Sequence, residues 1–235
     1  SPVAVDQFGR LKASRLLAYL QDVAGDHSAI LGTDQNALID KNLFWAVIRH
    51  RVQITRLPQS GERLRIETWP MPTTRTAFPR STVAYDARGQ ELFRCIGLWV
   101  LMDMDSRAMV LPGKSGVDLI GTCRGNELAP PSSIVPETLE NAVTRRVGYT
   151  ELDRNGHMNN TRYMDWVDNL LPAAFHKAHP VSEFTVCYLS EAREGEDITM
   201  HWQLLDGPVL QVDAHREQTD VSGKQARVFS VRVAF

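Results

Sequence analysis

The chain repeats parts of its own sequence, and this repetition constrains its fold more than any other feature. Three pairs of segments match, at an offset of 134 (186 − 52) for the first two and 147 (153 − 6) for the third: residues 52–62 with 186–196, Asp86–Gly89 with Asp220–Gly223, and Asp6–Arg10 with Asp153–His157. Self-similarity at a fixed spacing is typical of a duplicated structural unit. We therefore predict two copies of one domain in tandem.

The two copies differ at matched positions in a way that indicates chemistry. The first copy has Phe8, Arg10 and Leu57 at the positions where the second has Asn155, His157 and Glu191. A turn alone would not require different residues at all of these places. Polar and titratable groups in only one copy predict a single active site per chain.

The bulk composition is ordinary and disfavours several classes of protein. The chain has 235 residues, of which 43% are hydrophobic and 23% charged, as in globular domains. A net charge of −2 argues against nonspecific nucleic-acid binding, and no apolar run approaches the ~20 residues of a membrane span. No signal peptide is visible, although a processed leader could have been removed. The three widely spaced cysteines are expected to be buried thiols in a reducing, cytoplasmic setting.

Hydrophobic periodicity predicts a helix followed by about four strands in each copy. The first helix is expected at Ser14–Leu31; the second begins after Asn159 or Asn160, and Pro172 should weaken it near Leu170. A loop is expected at 33–42, and Asp86–Gly89 should close a hairpin. The predicted strands are Phe44–Leu57, Arg63–Trp69, Arg80–Tyr85, Leu92–Met102, Ala142–Tyr149, Glu183–Ser190, Asp197–Leu205, Val209–Gln218 and Lys224–Ala234.

The predicted order of elements gives an α+β fold. An antiparallel sheet wrapped around one helix buries the apolar stripe of that helix, and two such repeats can join into one continuous sheet that protects its edge strands. The domains are then residues 1–102 and 141–235, connected by a linker, 103–140, in which periodicity fails and Gly and Pro recur.

Asp153, Asn155, His157 and Glu191 are the candidate catalytic residues. The first three alternate, so in an extended segment their side chains would share one face. This segment precedes a helix N-terminus, whose free N–H groups can hold a carbonyl oxygen that becomes negative. Glu191 directly follows a predicted strand that would run beside it. Two carboxylates, an amide and an imidazole can activate water against an acyl carbon. The alternative is purely structural, because Asp, Asn and Gly before a helix are also ordinary turn and cap residues.

The motif resembles that of a known family. Asp153-Arg-Asn-Gly-His157-Met-Asn-Asn160-Thr-Arg-Tyr163-Met-Asp-Trp166 is similar to the signature of acyl-acyl carrier protein thioesterases of plant plastids and bacteria. The resemblance extends over most of the chain, since Phe44–Pro58, Gly61-Glu62 and Glu67-Thr-Trp69 resemble the strands of the family's first copy.

This resemblance implies a double hotdog fold and hydrolysis of fatty acyl-acyl carrier protein. It implies catalysis by Asp153, Asn155, His157 and Glu191, with no metal or diffusible cofactor, because the phosphopantetheine arm belongs to the substrate. Plant members often have Cys directly after the Glu. Ala192 at this position excludes a covalent cysteine mechanism there. The oligomeric state is left open, with a homodimer as one option.

Several alternatives stay open at this point. Cys187 could act as a nucleophile with His157 and Asn155, although a buried strand cysteine is far commoner. His27 is expected to be a core histidine or to line the substrate tunnel. Basic residues cluster in sequence around the motif and form either a solvated face or a docking patch for an acidic carrier protein: Arg145, Arg146, Arg154 and Arg162. The rival functions are an acyl-CoA thioesterase on the same fold and a non-catalytic acyl-binding protein.

Overall fold

The computed structural model describes residues 2–219 and 225–235 and divides into two compact units, Ser1–Pro131 and Ser132–Phe235. Each unit is an antiparallel sheet with a few helices, so the expected α+β class with two tandem repeats is confirmed. The predicted match of Asp86–Gly89 with Asp220–Gly223 involves residues outside the described part. None of the described helices is long and apolar enough to cross a membrane.

The first unit contains the long helix α1, Ala13–Ile30, within one residue of the predicted range. Its buried side chains, Leu16, Leu17, Leu20 and Ala24, follow helical spacing and form its inner face. The helix ends where Gly32 adopts a left-handed φ of 65°. The N–H groups of Gly32 and Thr33 then donate to carbonyls of the last turn, a glycine-dependent helix stop.

The strands of the first unit lie in the order β2-β3-β4-β1, with all neighbours antiparallel. Their bounds are β1 Leu43–Ile54, β2 Arg65–Pro70, β3 Phe78–Tyr85 and β4 Glu91–Asp103. The predicted hairpin between β3 and β4 is confirmed. Asp86 closes it by accepting N–H groups from Arg88 and Gln90 at 2.9 and 2.8 Å.

Two segments of the first unit have more structure than expected. The predicted loop 33–42 contains a short helix, α2 (Gln35–Ile39), whose first turn is capped by the carboxylate of Asp34. The predicted linker 103–140 contains strand β5 (Met109–Val110), paired with β4, and helix α3 (Pro112–Ser115). Short pieces of this kind carry too few apolar residues for a recognisable period. The exact domain boundaries stay a prediction.

The second unit has strands in the order β7-β10-β9-β8-β6. Their bounds are β6 Asn141–Arg146, β7 Glu183–Tyr188, β8 Asp197–Leu205, β9 Val209–Thr219 and β10 Gln225–Ala234. All these strands pair antiparallel.

The single long helix predicted for the second copy is wrong. Two short helices replace it, α4 (Arg162–Asp168) and α5 (Ala173–Ala178). Pro172 occupies the cap position of α5, and Leu170 lies in the turn between the helices, so the expected weakening near Leu170 is confirmed. Tyr163 of α4 packs on Phe229 of β10 with ring centroids 4.4 Å apart, which anchors the helix on the sheet.

A histidine is buried in the first unit where its charged form is disfavoured. His50 lies on β1 opposite Gly97 of β4. A Cβ atom at Gly97 would lie 3.0 Å from the His50 ring, so the glycine makes room for it. Burial lowers the pKa of His50 from 6.5 to about 4. The unfolded chain therefore takes up a proton at this position before the folded chain does.

We predict that this histidine makes the protein less stable in mild acid. Between pH 7 and pH 5 the unfolded His50 becomes protonated and the folded one stays neutral, which should lower the free energy of unfolding by about 2 kcal/mol. Urea denaturation at both pH values measures the loss, and His50→Gln should remove that part of it. The exposed His179→Gln variant is the control. Equal pH dependence in wild type and His50→Gln would contradict the prediction.

Candidate active site

The motif preceding α4 is a tight turn closed by hydrogen bonds. The Asp153 N–H donates to the His157 carbonyl at 2.8 Å, and the Gly156 N–H donates to the Asp153 carbonyl at 3.1 Å. Gly156 has a φ of 76°, which glycine adopts without strain. One carboxylate oxygen of Asp153 accepts the N–H groups of Asn155 and His157 at 2.8 and 3.2 Å. The carboxylate thus holds the turn from inside.

The first unit builds the same turn at the matched positions. The Asp6 N–H donates to the Arg10 carbonyl at 2.8 Å, and the Gly9 N–H donates to the Asp6 carbonyl at 3.0 Å. The Asp6 carboxylate accepts the N–H groups of Phe8 and Arg10 at 2.8 and 2.9 Å. Since this network exists without the other candidate residues, the aspartate of each copy serves the backbone of its own loop.

The expectation that Asp153, Asn155 and His157 share a face of an extended segment is wrong. A turn replaces the extended segment, and Asp153 points back to the backbone. Turn chemistry overrides alternation because Asp accepts hydrogen bonds from N–H groups just after it. The Asn155 side chain is exposed and makes no hydrogen bond within residues 2–219 and 225–235, which leaves its amide available to a ligand.

His157 and Glu191 meet at hydrogen-bond distance. His157 Nε2 lies 3.1 Å from Glu191 Oε2, and the side chains are 14% and 44% exposed. An ionised carboxylate only accepts, so this contact places the imidazole proton on Nε2. Nδ1 has no hydrogen-bond partner in the described part of the chain and is the nitrogen left to accept a proton. The pair can therefore act as a base held by a carboxylate.

Backbone contacts hold the Glu191 segment beside the turn. The Met158 N–H donates to the Ala192 carbonyl at 2.8 Å. Met158 directly follows His157, and Ala192 directly follows Glu191. Arg216 of β9 donates from Nη2 to the Glu191 carbonyl. The position of Glu191 thus depends on the turn on one side and on the sheet on the other.

The first unit keeps this cross-link but has no imidazole–carboxylate pair at it. The Leu11 N–H donates to the Pro58 carbonyl at 2.8 Å, which matches the link between Met158 and Ala192. Leu57 occupies the position of Glu191, and Arg10 pairs with Asp6 at 3.0 Å. The two copies therefore share this backbone link but have different side-chain pairs beside it.

Sequence reasoning missed two residues that support the turn. Glu151 accepts from Trp166 Nε1 at 2.5 Å and from the Gly148 N–H at 2.9 Å. Tyr163 is buried, which raises the pKa of its phenol, and its packing on Phe229 fixes the helix that follows the turn. The offset of 147 places Ala4 and Leu16 opposite Glu151 and Tyr163 (151 − 147, 163 − 147), so the repeat comparison could have found both.

The start of α4 offers fewer free N–H groups than expected. Asn159 takes two of them: its side-chain oxygen accepts from the Thr161 N–H at 3.0 Å, and its carbonyl accepts from the Arg162 N–H at 2.9 Å. Asn159 therefore satisfies two N–H groups at the start of α4, although Thr161 occupies the N-cap position. These two amides are not available for a substrate carbonyl.

Cys187 is placed as a buried strand residue. Its side chain is 1% exposed, and its thiol donates to the Ser132 carbonyl at 3.9 Å. Burial of this kind keeps a thiol from a thioester carbonyl. Thus the geometry disfavours the nucleophile interpretation of Cys187.

Comparison with known proteins identifies the family. The N-terminal domain of acyl-ACP thioesterases matches residues 3–111, and the C-terminal domain matches residues 137–228. The chain belongs to the acyl-ACP thioesterase family. Here ACP denotes acyl carrier protein. The two matched domains correspond to the two copies, and the second contains the turn and Glu191.

Solved thioesterase structures share the fold over nearly the whole chain. An acyl-ACP thioesterase from Bacteroides thetaiotaomicron superposes with a TM-score of 0.90 at 23% identity, covering 100% of this chain and 94% of that one. A 12:0-ACP thioesterase from Umbellularia californica gives 0.79 at 20% identity, covering 99% and 92%. The hotdog-type fold predicted from the resemblance is confirmed.

The curated relatives are longer than this chain. A chloroplastic dodecanoyl-[acyl-carrier-protein] hydrolase from Cinnamomum camphora is 26% identical over 194 residues, 75% of this chain and 50% of the relative. An oleoyl-acyl carrier protein thioesterase from Arabidopsis thaliana is 26% identical over 196 residues, 75% and 54% respectively. The chain thus spans about half the length of the curated relatives it matches.

We predict that the two loop aspartates contribute alike to the stability of this thioesterase family member. Asp153→Ala and Asp6→Ala each remove a carboxylate that accepts two backbone N–H groups, so each should lower the free energy of unfolding by about 1–3 kcal/mol. Urea denaturation measures both. Asp22→Ala, at an exposed position of α1, is the control. Wild-type stability of Asp153→Ala would show that its carboxylate is not a loop support.

Proposed function

We propose that the chain hydrolyses the thioester of fatty acyl-ACP and releases a free fatty acid and the holo-carrier protein. The observation that carries this proposal is the 3.1 Å contact between His157 and Glu191, which occurs in one copy only. The exposed Asn155 lies two residues before His157 on the same turn. Membership of the acyl-ACP thioesterase family and the names of the relatives supply the substrate class.

In the proposed reaction, His157 and Glu191 activate water. His157 Nδ1 accepts a proton from the water molecule as its oxygen attacks the thioester carbonyl carbon. Glu191 holds the Nε2–H and stabilises the imidazolium that forms. The reaction starts from the neutral imidazole, because only a free Nδ1 lone pair can accept the proton.

Asn155 is proposed to donate its side-chain N–H to the carbonyl oxygen as that oxygen becomes negative. The tetrahedral intermediate then collapses: the carbon–sulfur bond breaks, the proton held by His157 passes to the leaving thiolate of phosphopantetheine, and the carboxylic acid remains. Asp153 contributes by fixing the turn from which Asn155 and His157 project. The first-copy turn, with Phe8 and Arg10, supports the fold alone.

The proposal requires no metal or diffusible cofactor and no covalent enzyme intermediate. Ala192 occupies the position after Glu191, and Cys187 is buried against the Ser132 carbonyl. The phosphopantetheine arm enters with the substrate. The cytoplasmic location and a homodimer stay predictions.

The arginines around the motif differ in how much free charge they offer to a carrier protein. Arg146 pairs with Asp197 at 2.6 Å, and Arg162 pairs with Asp165 at 3.1 Å. Two others, Arg145 and Arg154, have no ion pair with a described residue. Arg154 is exposed, and the Arg145 guanidinium lies 5.6 Å from the centre of the Trp166 ring. We propose these two as the charges that steer an acidic carrier protein.

The first test of function is a set of alanine variants. Asn155→Ala, His157→Ala and Glu191→Ala should each lower the turnover of acyl-ACP by roughly 10²-fold or more, the usual scale for acid–base and oxyanion groups. Steady-state release of the carrier thiol measures this. Phe8→Ala, at the matched position of the first copy, controls for general effects of changing the turn and should keep turnover near that of wild type.

The same assay also distinguishes the rival functions. Near-wild-type turnover in the double variant His157→Ala/Glu191→Ala would exclude the assigned site. Faster hydrolysis of acyl-CoA than of acyl-ACP would favour a CoA thioesterase, and no hydrolysis of either by the wild-type chain would favour an acyl-binding protein.

The docking arginines give a second test. The double variant Arg145→Glu/Arg154→Glu should raise KM for acyl-ACP roughly 10-fold, because exposed opposite charges steer association. Hydrolysis of a short soluble acyl thioester should change little. Lys114→Glu/Lys177→Glu, at exposed positions, makes the same change in net charge and should leave both KM values near wild type. Equal losses on both substrates would show that the arginines support the site and not the partner.

A further inference from the structure

An arginine on β9 reaches the segment that carries Glu191. Arg216 Nε lies 3.0 Å from Glu196 Oε2, and Arg216 Nη2 donates to the Glu191 carbonyl oxygen. The side chains of Arg216 and Glu196 are 20% and 27% exposed, so solvent screens this ion pair only in part. The guanidinium therefore binds a carboxylate with one nitrogen and the backbone of the segment with another.

The same ion pair also reaches the backbone partner of His157. Glu196 Oε2 accepts the Arg193 N–H at 3.2 Å. Arg193 in turn forms an antiparallel bridge with His157. The ion pair of Arg216 and Glu196 therefore holds Glu191 directly and His157 through one intervening residue. Both partners of the 3.1 Å contact between His157 and Glu191 depend on it for their backbone position.

The first copy has a guanidinium with the same contacts, but a different residue carries it. The loop glutamate of this copy is Glu62, which matches at the offset of 134 and accepts the Gln59 N–H at 2.8 Å. Arg56 donates to Glu62 from Nη1 and Nη2 at 3.0 and 2.6 Å and to the Leu57 carbonyl at 3.4 Å. Leu57 occupies the position of Glu191. In each copy, one guanidinium thus binds the loop glutamate and the carbonyl at this position.

Sheet register identifies the first-copy counterpart of Arg216 as an acid. The correspondence rests on two cross-strand pairs in which the β2 and β8 members match at the offset of 134 (199 − 65): Arg65 with Tyr85, and Thr199 with His215. The residues that directly follow on β3 and β9 are Asp86 and Arg216, so these two occupy corresponding places in the two sheets. Strand pairing defines this match and the sequence offset does not, because β9 has 11 residues and β3 has 8.

The arginine therefore lies on opposite sides of the contact in the two copies. In the first copy, Arg56 belongs to the segment itself and directly precedes Leu57. In the second copy, Ser190 takes that position and donates from Oγ to a β10 carbonyl at 2.9 Å, and the guanidinium comes from β9. A guanidinium carried by residue 56 moves with its own segment. One carried by β9 ties the backbone of Glu191 to the sheet.

We propose that Arg216 is a positioning residue of the candidate site: it fixes the Glu191 backbone to β9 so that the carboxylate meets His157, and Glu196 balances its charge. Reactive groups need supporting residues that hold them within about 0.5 Å of the productive geometry. Arg216 acts through Glu191 and not on the thioester. Its catalytic consequence rests on the proposed hydrolysis, whereas its effect on the geometry is measured without turnover.

Arg216→Met and Arg56→Met are a matched pair of variants. Each removes a guanidinium from a loop glutamate and from one backbone carbonyl, and only Arg216 lies beside the imidazole–carboxylate pair. Arg216→Met should lower kcat for acyl-ACP roughly 10- to 100-fold and leave KM within about 2-fold of wild type, because a small misplacement of a reacting group slows the chemical step. Arg56→Met should keep kcat near wild type. Equal losses of kcat in both variants, or an unchanged kcat in Arg216→Met, overturn the proposal.

Nuclear magnetic resonance separates this proposal from the proposed hydrolysis. The carbon-bound Hε1 proton of His157, assigned by its absence in His157→Gln, reports on the surroundings of the imidazole, and Glu191→Ala gives its chemical shift without the contact. In Arg216→Met the resonance should move most of the way to the Glu191→Ala position, and in Arg56→Met it should stay at the wild-type position. An unmoved resonance in Arg216→Met, or the same resonance in wild type and Glu191→Ala, overturns the proposal. The expected shifts in a chain that hydrolyses no acyl-ACP would support the positioning role and contradict the proposed function.

A lysine variant keeps the test open if Arg216→Met does not fold. Arg216→Lys retains a positive charge for Glu196, but a single ammonium group does not reproduce the fixed two-point contact of a guanidinium. The free energy of unfolding, measured in urea, should therefore stay near that of wild type, and kcat should fall several-fold. A wild-type kcat in Arg216→Lys would show that charge alone suffices and overturns the proposal.

Discussion

Two backbone N–H groups, from Asn155 and His157, donate to the carboxylate of Asp153, and this small network sets the direction in which both side chains leave the turn. Everything proposed for the second copy depends on it. Asp153 holds the turn that carries the exposed amide of Asn155 and the imidazole that contacts Glu191. The Asp153 carboxylate itself accepts hydrogen bonds from the backbone. A site built this way can change its projecting side chains and keep its frame.

The first copy shows what the frame does without those side chains. Asp6 accepts the same two N–H groups, and the link between Leu11 and Pro58 repeats the one between Met158 and Ala192. The Arg10 guanidinium pairs with the Asp6 carboxylate at 3.0 Å. The duplicated turns thus share one backbone network, and only the second carries the candidate groups Asn155 and His157.

The sequence predicted the main strands to within a few residues, because apolar and β-branched runs bounded by turn residues mark them. Alternation was not the signal in β4, whose residues are buried in runs. Periodicity gave the wrong element where side-chain hydrogen bonds to the backbone or a proline determine the local structure. The Asp153 motif is a turn and not an extended segment, and Pro172 divides the second helix in two. Contacts such as Arg80 with His27, or Glu151 with Trp166, depend on strand register and helix placement, which no single segment encodes. The roles of the four candidate catalytic residues stay predictions.

The two halves of the candidate site differ in how they are closed. The Asp153 turn joins residues four positions apart (157 − 153), whereas the contact of His157 with Glu191 joins residues 34 apart (191 − 157). Short loops close at little entropic cost, and the longer contact also needs the end of β7 and the hold of Arg216 on the Glu191 carbonyl. Local opening of that segment would separate the pair and leave both sheets intact. In a sample whose molecules all have intact sheets, only a fraction of the molecules can therefore have His157 in contact with Glu191.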